Sequence, residues 1–151
     1  MELAGRLLAI DLGAKRVGVA VCDELRITVN PLPAIERRSW KELLRRIATL
    51  VQSYEVCGLV IGLPLRLDGG EGSAAGDARS VAKKFQLSLD VPVYLQDERL
   101  TTFAAAADLR LAARTEDEIE REIDSEAAAL ILRDFIVSGA GANVNDPEAK
   151  S

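Results

Sequence analysis

The chain has 151 residues, of which 48% are hydrophobic and 28% charged, proportions typical of one globular domain that buries a core. The net charge of −5 argues against a protein whose whole surface binds a polyanion, but it allows a local basic face. No apolar run has the length or pattern of a signal peptide or membrane span, so we expect a cytoplasmic protein. Cys22 and Cys57 lie far apart in apolar runs, and we expect both to be small buried residues.

The N-terminal part predicts a meander of three strands. Leu7–Leu12 and Arg16–Cys22 are rich in Val, Ile and Leu, and a short segment containing Gly13 separates them, which is typical of a hairpin. Arg26–Ile35 is predicted as a third strand with an irregular end, because its two prolines cannot donate to a sheet ladder. The first three strands are therefore expected to pair antiparallel.

The rest of the chain predicts alternating helices and strands. Ser39 and Glu42 form a capping box that begins a helix ending near Tyr54. The later predicted elements are a strand Cys57–Ile61, a helix Ala74–Leu89, a strand Val93–Gln96, a helix from Thr101 or Thr102 to about Ala113, and a helix from the capping box Thr115–Glu118 to Ser138. This order indicates an α/β fold with a mixed sheet over residues 1–139, followed by a disordered tail, 140–151.

Acidic residues stand where the predicted strands end. Asp11 closes the first strand, Asp97 and Glu98 close the last, and Asp124 borders the apolar stripe of the final helix. Carboxylates that converge repel one another unless some are protonated or a cation lies between them. The chain has no histidine, and two Mg²⁺ ions about 4 Å apart on such oxygens can support phosphodiester cleavage. We interpret these acids as a candidate metal site.

Each acid also has a purely structural interpretation. Asp11 could be a turn residue, Glu98 could pair with Arg99, and Asp124 could be one more charge on an acidic helix. Spacing alone leaves both interpretations open.

Four motifs carry a resemblance to a known family. The segments "AIDLGAKRVGVAVCD", "VIGLPLRLDGGEG", "VYLQDERLTT" and "DSEAAALIL" follow one another as in the YqgF family, over about Leu7 to Ile136. Its members are RNase H-like proteins described as Holliday junction resolvases and as nucleases of pre-16S rRNA. The resemblance implies an RNase H-like fold with a five-stranded sheet of order 3-2-1-4-5. It also implies a Mg²⁺ or Mn²⁺ site in which Asp11 bridges the ions and Glu98 and Asp124 complete their shells.

The resemblance also implies a function and substrate contacts. The expected protein is a metal-dependent endonuclease that processes pre-16S rRNA in ribosome biogenesis, with the ribosome as a further partner. A Holliday junction resolvase acting on branched DNA is the alternative. Lys15, Arg16 and Arg99 match family positions that could meet phosphates, although each could equally be a solvated or ion-paired cation.

One segment departs from the family pattern. Where relatives carry a basic loop before the last acid, this chain has "RTEDEIEREID", which should weaken nucleic-acid binding nearby or move the contact elsewhere. A non-cleaving nucleic-acid or ribosome-binding module is therefore a second hypothesis. A phosphotransferase of the actin and sugar-kinase group is a third, disfavoured because such enzymes need two large lobes.

One basic stretch could provide the contact that the acidic segment lacks. It is "RRSWKELLRR", in which Arg37, Lys41 and Arg45 are spaced to share one face of the first helix. The stretch is either an electrostatic footprint for nucleic acid or a solvated helix face.

Overall fold

A computed structural model describes residues 5–66, 68–97, 116–138 and 142–143, with the backbone alone for 116–124 and 142–143. Its centre is a mixed sheet of order β3-β2-β1-β4-β5-β6, which confirms the predicted order 3-2-1-4-5 and adds one strand. The elements are β1 (Arg6–Leu12), β2 (Arg16–Cys22), β3 (Val29–Glu36), α1 (Trp40–Ser53), β4 (Val56–Leu63), α2 (Ser73–Ser88), β5 (Val93–Asp97), α3 (Glu116–Ser138) and β6 (Ala142–Asn143). The helix predicted from Thr101 or Thr102 to Ala113 lies outside the described residues, as does Thr115.

Strand β1 is the centre of the sheet and is covered on both faces. It pairs antiparallel with β2 and parallel with β4, and β4 pairs parallel with β5. Leu8 and Ile10 pack in the core formed with α1 and α2, whereas Leu7 and Ala9 pack in the core formed with α3. Because strand side chains alternate between faces, Asp11 falls on the face that α3 covers.

Helices α1 and α2 form one layer and α3 the other. Ile47 of α1 and Phe85 of α2 are fully buried against one face, and Trp40 meets the Phe85 ring edge-on at 4.8 Å between centroids. On the opposite face, Phe135 of α3 packs on Tyr94 of β5 at 5.1 Å. The Ser39 hydroxyl accepts the amide of Glu42 at 3.2 Å, which confirms Ser39 as the N-cap of α1.

The third strand begins at Val29, so the prediction of a strand from Arg26 was wrong at its start. The cause is the carboxylate of Asp23, which accepts the backbone amides of Ile27 and Thr28, each at 2.7 Å, and that of Leu25 at 3.2 Å. These bonds close a turn that includes Ile27 and Thr28, whose β-branched side chains favour a strand.

Cys57 is exposed, which contradicts the expectation that both cysteines are buried; Cys22 is buried as predicted. The pairing of β1 with β4 explains the difference. Arg6 lies opposite Val56 and Leu7 opposite Gly58, so Cys57 is the extra residue of a β-bulge. A bulge shifts the alternation of side chains, and an apolar sequence run does not reveal it.

The two edges of the sheet are formed by β3 and β6. Seven of the eight residues of β3 are exposed or half-buried, and two of the eight, Pro31 and Pro33, have no amide hydrogen. Strand β6 has two residues and pairs antiparallel with β5, at a place where the sequence predicted a disordered tail. The remaining residues of that predicted tail, 140–141 and 144–151, lie outside the described residues.

Candidate active site

Asp11 lies at the end of β1, one residue before the strand ends. It is 9% exposed and stands opposite Gly18 of β2 in the antiparallel register. Glycine has no side chain, so this residue of the neighbouring strand places no group of its own beside the carboxylate. The sequence placed Asp11 at the carboxyl end of a buried strand, and the structure agrees with that placement.

The backbone of Asp124 lies in α3, directly before a residue that ties this helix to the sheet. The Ser125 hydroxyl donates to the carbonyl oxygen of Leu32 at 2.6 Å and accepts the amide of Val19 at 3.5 Å. Val19 follows Gly18, the partner of Asp11, so this bond fixes the amino-terminal half of α3 over the end of β1. The predicted site did not include Ser125, and no sequence signal distinguishes it from an ordinary helical serine.

The carboxyl end of β5 provides a second acidic position. Asp97 pairs with Leu63 at the carboxyl end of β4. Because β1, β4 and β5 run parallel, Asp97 lies at the same end of the strands as Asp11. A cavity of about 450 Å³ opens beside it, lined by Gln96, Asp97, Asp134, Val137 and Ser138. Glu98 and Arg99, which the sequence analysis assigned to the site, lie outside the described residues.

The turn between β1 and β2 carries the predicted phosphate contacts. Lys15 is exposed and Arg16 is half-buried at the start of β2. The Gly13 amide donates to the carbonyl oxygen of Arg16 at 2.9 Å. A Cβ at Gly13 would lie 2.6 Å from that same oxygen, so only glycine fits this tight turn without a backbone shift.

Arg37 holds this turn to α2. Its guanidinium donates to both carboxylate oxygens of Asp77, at 2.7 and 2.9 Å, and to the carbonyl oxygen of Gly13 at 3.1 Å. Its backbone amide donates to the carbonyl oxygen of Lys15 at 2.9 Å. One arginine therefore fixes the turn that follows Asp11 at two points.

The position of Arg37 corrects a prediction. It precedes Ser39, the N-cap, and so does not share a face of α1 with Lys41 and Arg45. The capping box in the sequence could have shown this, because helical spacing applies only from the first residue of the helix.

The Arg37–Asp77 pair should make stability depend on pH. The hydrogen bonds from Arg37 lower the pKa of the Asp77 carboxyl from its ordinary value. A lowered pKa in the folded state means that the pair stabilises the fold above the unfolded pKa, near pH 4, and that this contribution is lost as Asp77 becomes protonated. Asp77 is 42% exposed, so we expect about 0.5 to 1 kcal/mol.

Urea unfolding of the wild type and of Asp77→Asn, repeated from pH 7 downward, measures this contribution. We expect the wild type to be more stable at pH 7 and the two curves to converge below about pH 4. A stability difference that stays constant through this range would show that the ionised carboxylate of Asp77 does not stabilise the fold.

Among the described side chains, no group of three or more acidic residues or cysteines is close enough to hold a metal ion. The described side chains include that of Asp11 but neither that of Glu98 nor that of Asp124. No helix in the described part of the chain is long and apolar enough to cross a membrane.

The chain is similar in sequence to one family and to several of its members. The family model described as RuvX, Holliday junction resolvase, matches residues 5–138. A protein of Anaeromyxobacter sp. (strain K), named as a candidate pre-16S rRNA nuclease, is 42% identical over 131 residues, which cover 87% of this chain and 96% of the relative. A protein of Lactobacillus johnsonii with the same name is 39% identical over 135 residues, covering 87% of this chain and 94% of its own.

Solved structures show the same fold at low identity. RuvC of T. thermophilus in complex with a Holliday junction substrate has a TM-score of 0.58 at 14% identity, covering 92% of this chain and 99% of RuvC. The Fowlpox virus resolvase in complex with Holliday junction DNA has a TM-score of 0.50 at 13% identity, covering 89% of this chain and 97% of its own. The sheet described above is thus the RuvC-like form of the RNase H fold. Because the family model covers most of the chain and relatives near 40% identity match over almost their full length, the chain belongs to the RuvX family of Holliday junction resolvases, a family of nucleases.

Proposed function

We propose that this chain is a divalent-metal-dependent endonuclease that cuts pre-16S rRNA in the cytoplasm. The observation that carries the proposal is Asp11, a carboxylate withdrawn from solvent at the end of the central strand of a nuclease fold. The carboxylate lies at the end of β1 where the parallel strands β4 and β5 also end, and ligands of α/β sheets collect beyond the carboxyl ends of the strands. The names of the relatives from Anaeromyxobacter and Lactobacillus support rRNA as the substrate.

The donor set at this end of the sheet fits a hard cation. The chain has no histidine, and Cys22 and Cys57 lie near the other end of the strands, where Cys22 pairs with Val29. Oxygen ligands such as the carboxylate of Asp11 suit Mg²⁺ and Mn²⁺. We propose that Asp11, Glu98 and Asp124 hold the metal, which when bound would activate water and stabilise the leaving oxygen of a phosphodiester.

The other residues would orient the substrate. Lys15 stands exposed in the turn after Asp11, where its ammonium can contact a phosphate next to the scissile bond. Arg16 begins β2 at the same end of the sheet and Arg99 follows Glu98 in sequence, so both are proposed phosphate contacts. The contacts of Arg37 with Gly13 and Lys15 keep the turn in place while the substrate binds.

A cleavage assay on two substrates tests the proposal. Purified protein is incubated with an RNA that contains a 16S precursor end, and separately with a four-way DNA junction, in Mg²⁺, in Mn²⁺ and in EDTA. We expect metal-dependent cleavage of the RNA and little cleavage of the junction. Cleavage of the junction alone would assign the chain to branched DNA, and no cleavage of either substrate would favour a binding module.

A further inference from the structure

A groove runs between the edge strand β3 and α1, on the face of the sheet opposite to α3. Its volume is about 400 Å³, and it is lined by Leu32, Pro33, Ile35, Arg45, Arg46, Thr49, Leu50 and Tyr54. The helix residues follow helical spacing, with Arg46, Leu50 and Tyr54 successive at four-residue steps. We call this feature the β3–α1 groove; its floor is apolar and its rim is cationic.

The two arginines of the rim carry charge that no described residue neutralises. Arg45 and Arg46 are exposed, and within the described part of the chain neither forms an ion pair, whereas Arg37 and Arg38 are paired with Asp77 and Glu36. None of the described residues that line the groove is acidic. The groove is therefore a place where an anionic group gains charge contacts without displacing an internal partner.

The helices divide the molecule into two electrostatic faces. Helices α1 and α2 each contain three basic residues and one acidic residue, whereas α3 contains eight acidic residues and two basic ones. Because α1 and α2 pack on one face of the sheet and α3 on the other, a polyanion is attracted to the α1 and α2 face. The α1 and α2 face could therefore supply the phosphate contacts that the acidic segment before Asp124 cannot make.

We propose that the β3–α1 groove binds one nucleotide of an RNA strand, with its phosphate on Arg45 and Arg46. The volume and the apolar floor suit a ribose and base, and the half-buried ring of Tyr54 offers a surface for stacking. A guanidinium fork matches the oxygens of a phosphate, so two arginines on one rim can hold the backbone of the strand. This inference rests on the proposed function, since it concerns how the same substrate is held.

The groove and Asp11 lie on opposite faces of the sheet, near the same end of its strands, since Ile35 pairs with Val17 and Val17 with Leu12. Strand β3 lies two strands from β1 in the sheet, which corresponds to roughly 10 Å across the strands. A strand held in the groove can thus continue around the edge of the sheet to the end of β1. The groove would raise affinity and set orientation without contacting the scissile phosphate.

Binding of a labelled RNA tests the groove directly. Fluorescence anisotropy is measured in EDTA, so that the RNA stays intact, with a hairpin RNA that carries a single-stranded flank. For Arg45→Gln/Arg46→Gln we expect the affinity to fall roughly tenfold, and the slope of log affinity against log salt to decrease by about 0.7, the value for one lost single-strand phosphate contact. The matched control is Arg133→Gln, which removes one exposed cation from α3 on the opposite face and should leave both values unchanged.

The outcomes separate the groove from the proposed function. Tight RNA binding by the wild type with no change in the double variant, whose fold is checked by circular dichroism, would overturn the groove and leave the nuclease proposal standing. An equal loss of RNA affinity in Arg133→Gln would also overturn the groove, because the loss would then follow from the change in net charge and not from the position of the arginines. Absence of RNA binding by the wild type would overturn the groove, whereas the nuclease proposal is decided separately by the cleavage assay in Mg²⁺ or Mn²⁺. A photo-crosslink from the single-stranded flank to Tyr54 would support the groove.

Discussion

Replacing Asp11 by asparagine is expected to reduce cleavage by about a thousandfold while the protein stays folded. The substitution keeps the size of the side chain and removes the negative charge on which cation binding depends. Loss of a metal-supported transition state costs several kcal/mol, and each 1.36 kcal/mol corresponds to a factor of ten in rate. Cleavage of the 16S precursor RNA in Mg²⁺, beside circular dichroism of the same sample, measures both effects.

The same variant has a second readout that does not depend on substrate. A cation that binds only the folded state raises its stability according to its concentration and dissociation constant. We expect Mg²⁺ or Mn²⁺ to raise the unfolding temperature of the wild type and to leave that of Asp11→Asn nearly unchanged. Asp90→Asn serves as the control, because Asp90 is an exposed carboxylate before β5, at the opposite end of that strand from Asp97. Full cleavage by purified Asp11→Asn would remove this residue from the catalytic machinery.

Replacing Arg37 by alanine is expected to lower cleavage about tenfold and stability by about 1 kcal/mol. The stability term is modest because the Asp77 partner is partly exposed, as is usual for surface ion pairs. The larger effect on cleavage follows from the bond between the Arg37 guanidinium and the Gly13 carbonyl oxygen, which fixes the turn after Asp11. Small displacements of positioned groups can reduce rates by one or two orders of magnitude. Initial rates across RNA concentrations separate kcat from KM.

Two further variants separate the effect of the Arg37 hydrogen bond to the turn from the effect of its ion pair with Asp77. Asp77→Asn keeps Arg37 and its bond to Gly13, so we expect nearly normal cleavage with reduced stability. The charge-reversed pair Arg37→Asp/Asp77→Arg can restore the ion pair, but it removes the donor to Gly13. It should therefore recover stability and not cleavage. If the reversed pair recovers both, Arg37 acts through α2 alone and has no separate effect on the turn.

The sequence predicted the strands best where local pattern and burial agree. Strands β1 and β2 consist almost entirely of buried residues, and their bounds differ from prediction by at most one residue. The start of β3 was missed because the Asp23 carboxylate competes for backbone amides, an effect that strand propensity does not include. Cys57 was misplaced because the bulge depends on how two distant strands align.

The sequence could predict where Asp11 lies in the fold, but not the hydrogen bonds that hold the elements around it. Asp11 could be placed at the end of β1 because a charged residue closes an apolar run. Arg37, Asp77 and Ser125 could not be connected to it, since their contacts join elements that are far apart in sequence. The roles of all the predicted site residues stay predictions: Asp11, Glu98 and Asp124 as metal ligands, and Lys15, Arg16 and Arg99 as phosphate contacts.

The edges of the sheet affect how the protein behaves at high concentration. An edge strand with regular free amides and carbonyls offers a template on which a second chain can add strand by strand, the first step toward fibrils. Here one border has two prolines among its eight residues and the other is only two residues long. At the two edges of the described sheet, these features disfavour growth across chain boundaries. We therefore expect the protein to stay monodisperse with respect to sheet-to-sheet pairing at high concentration.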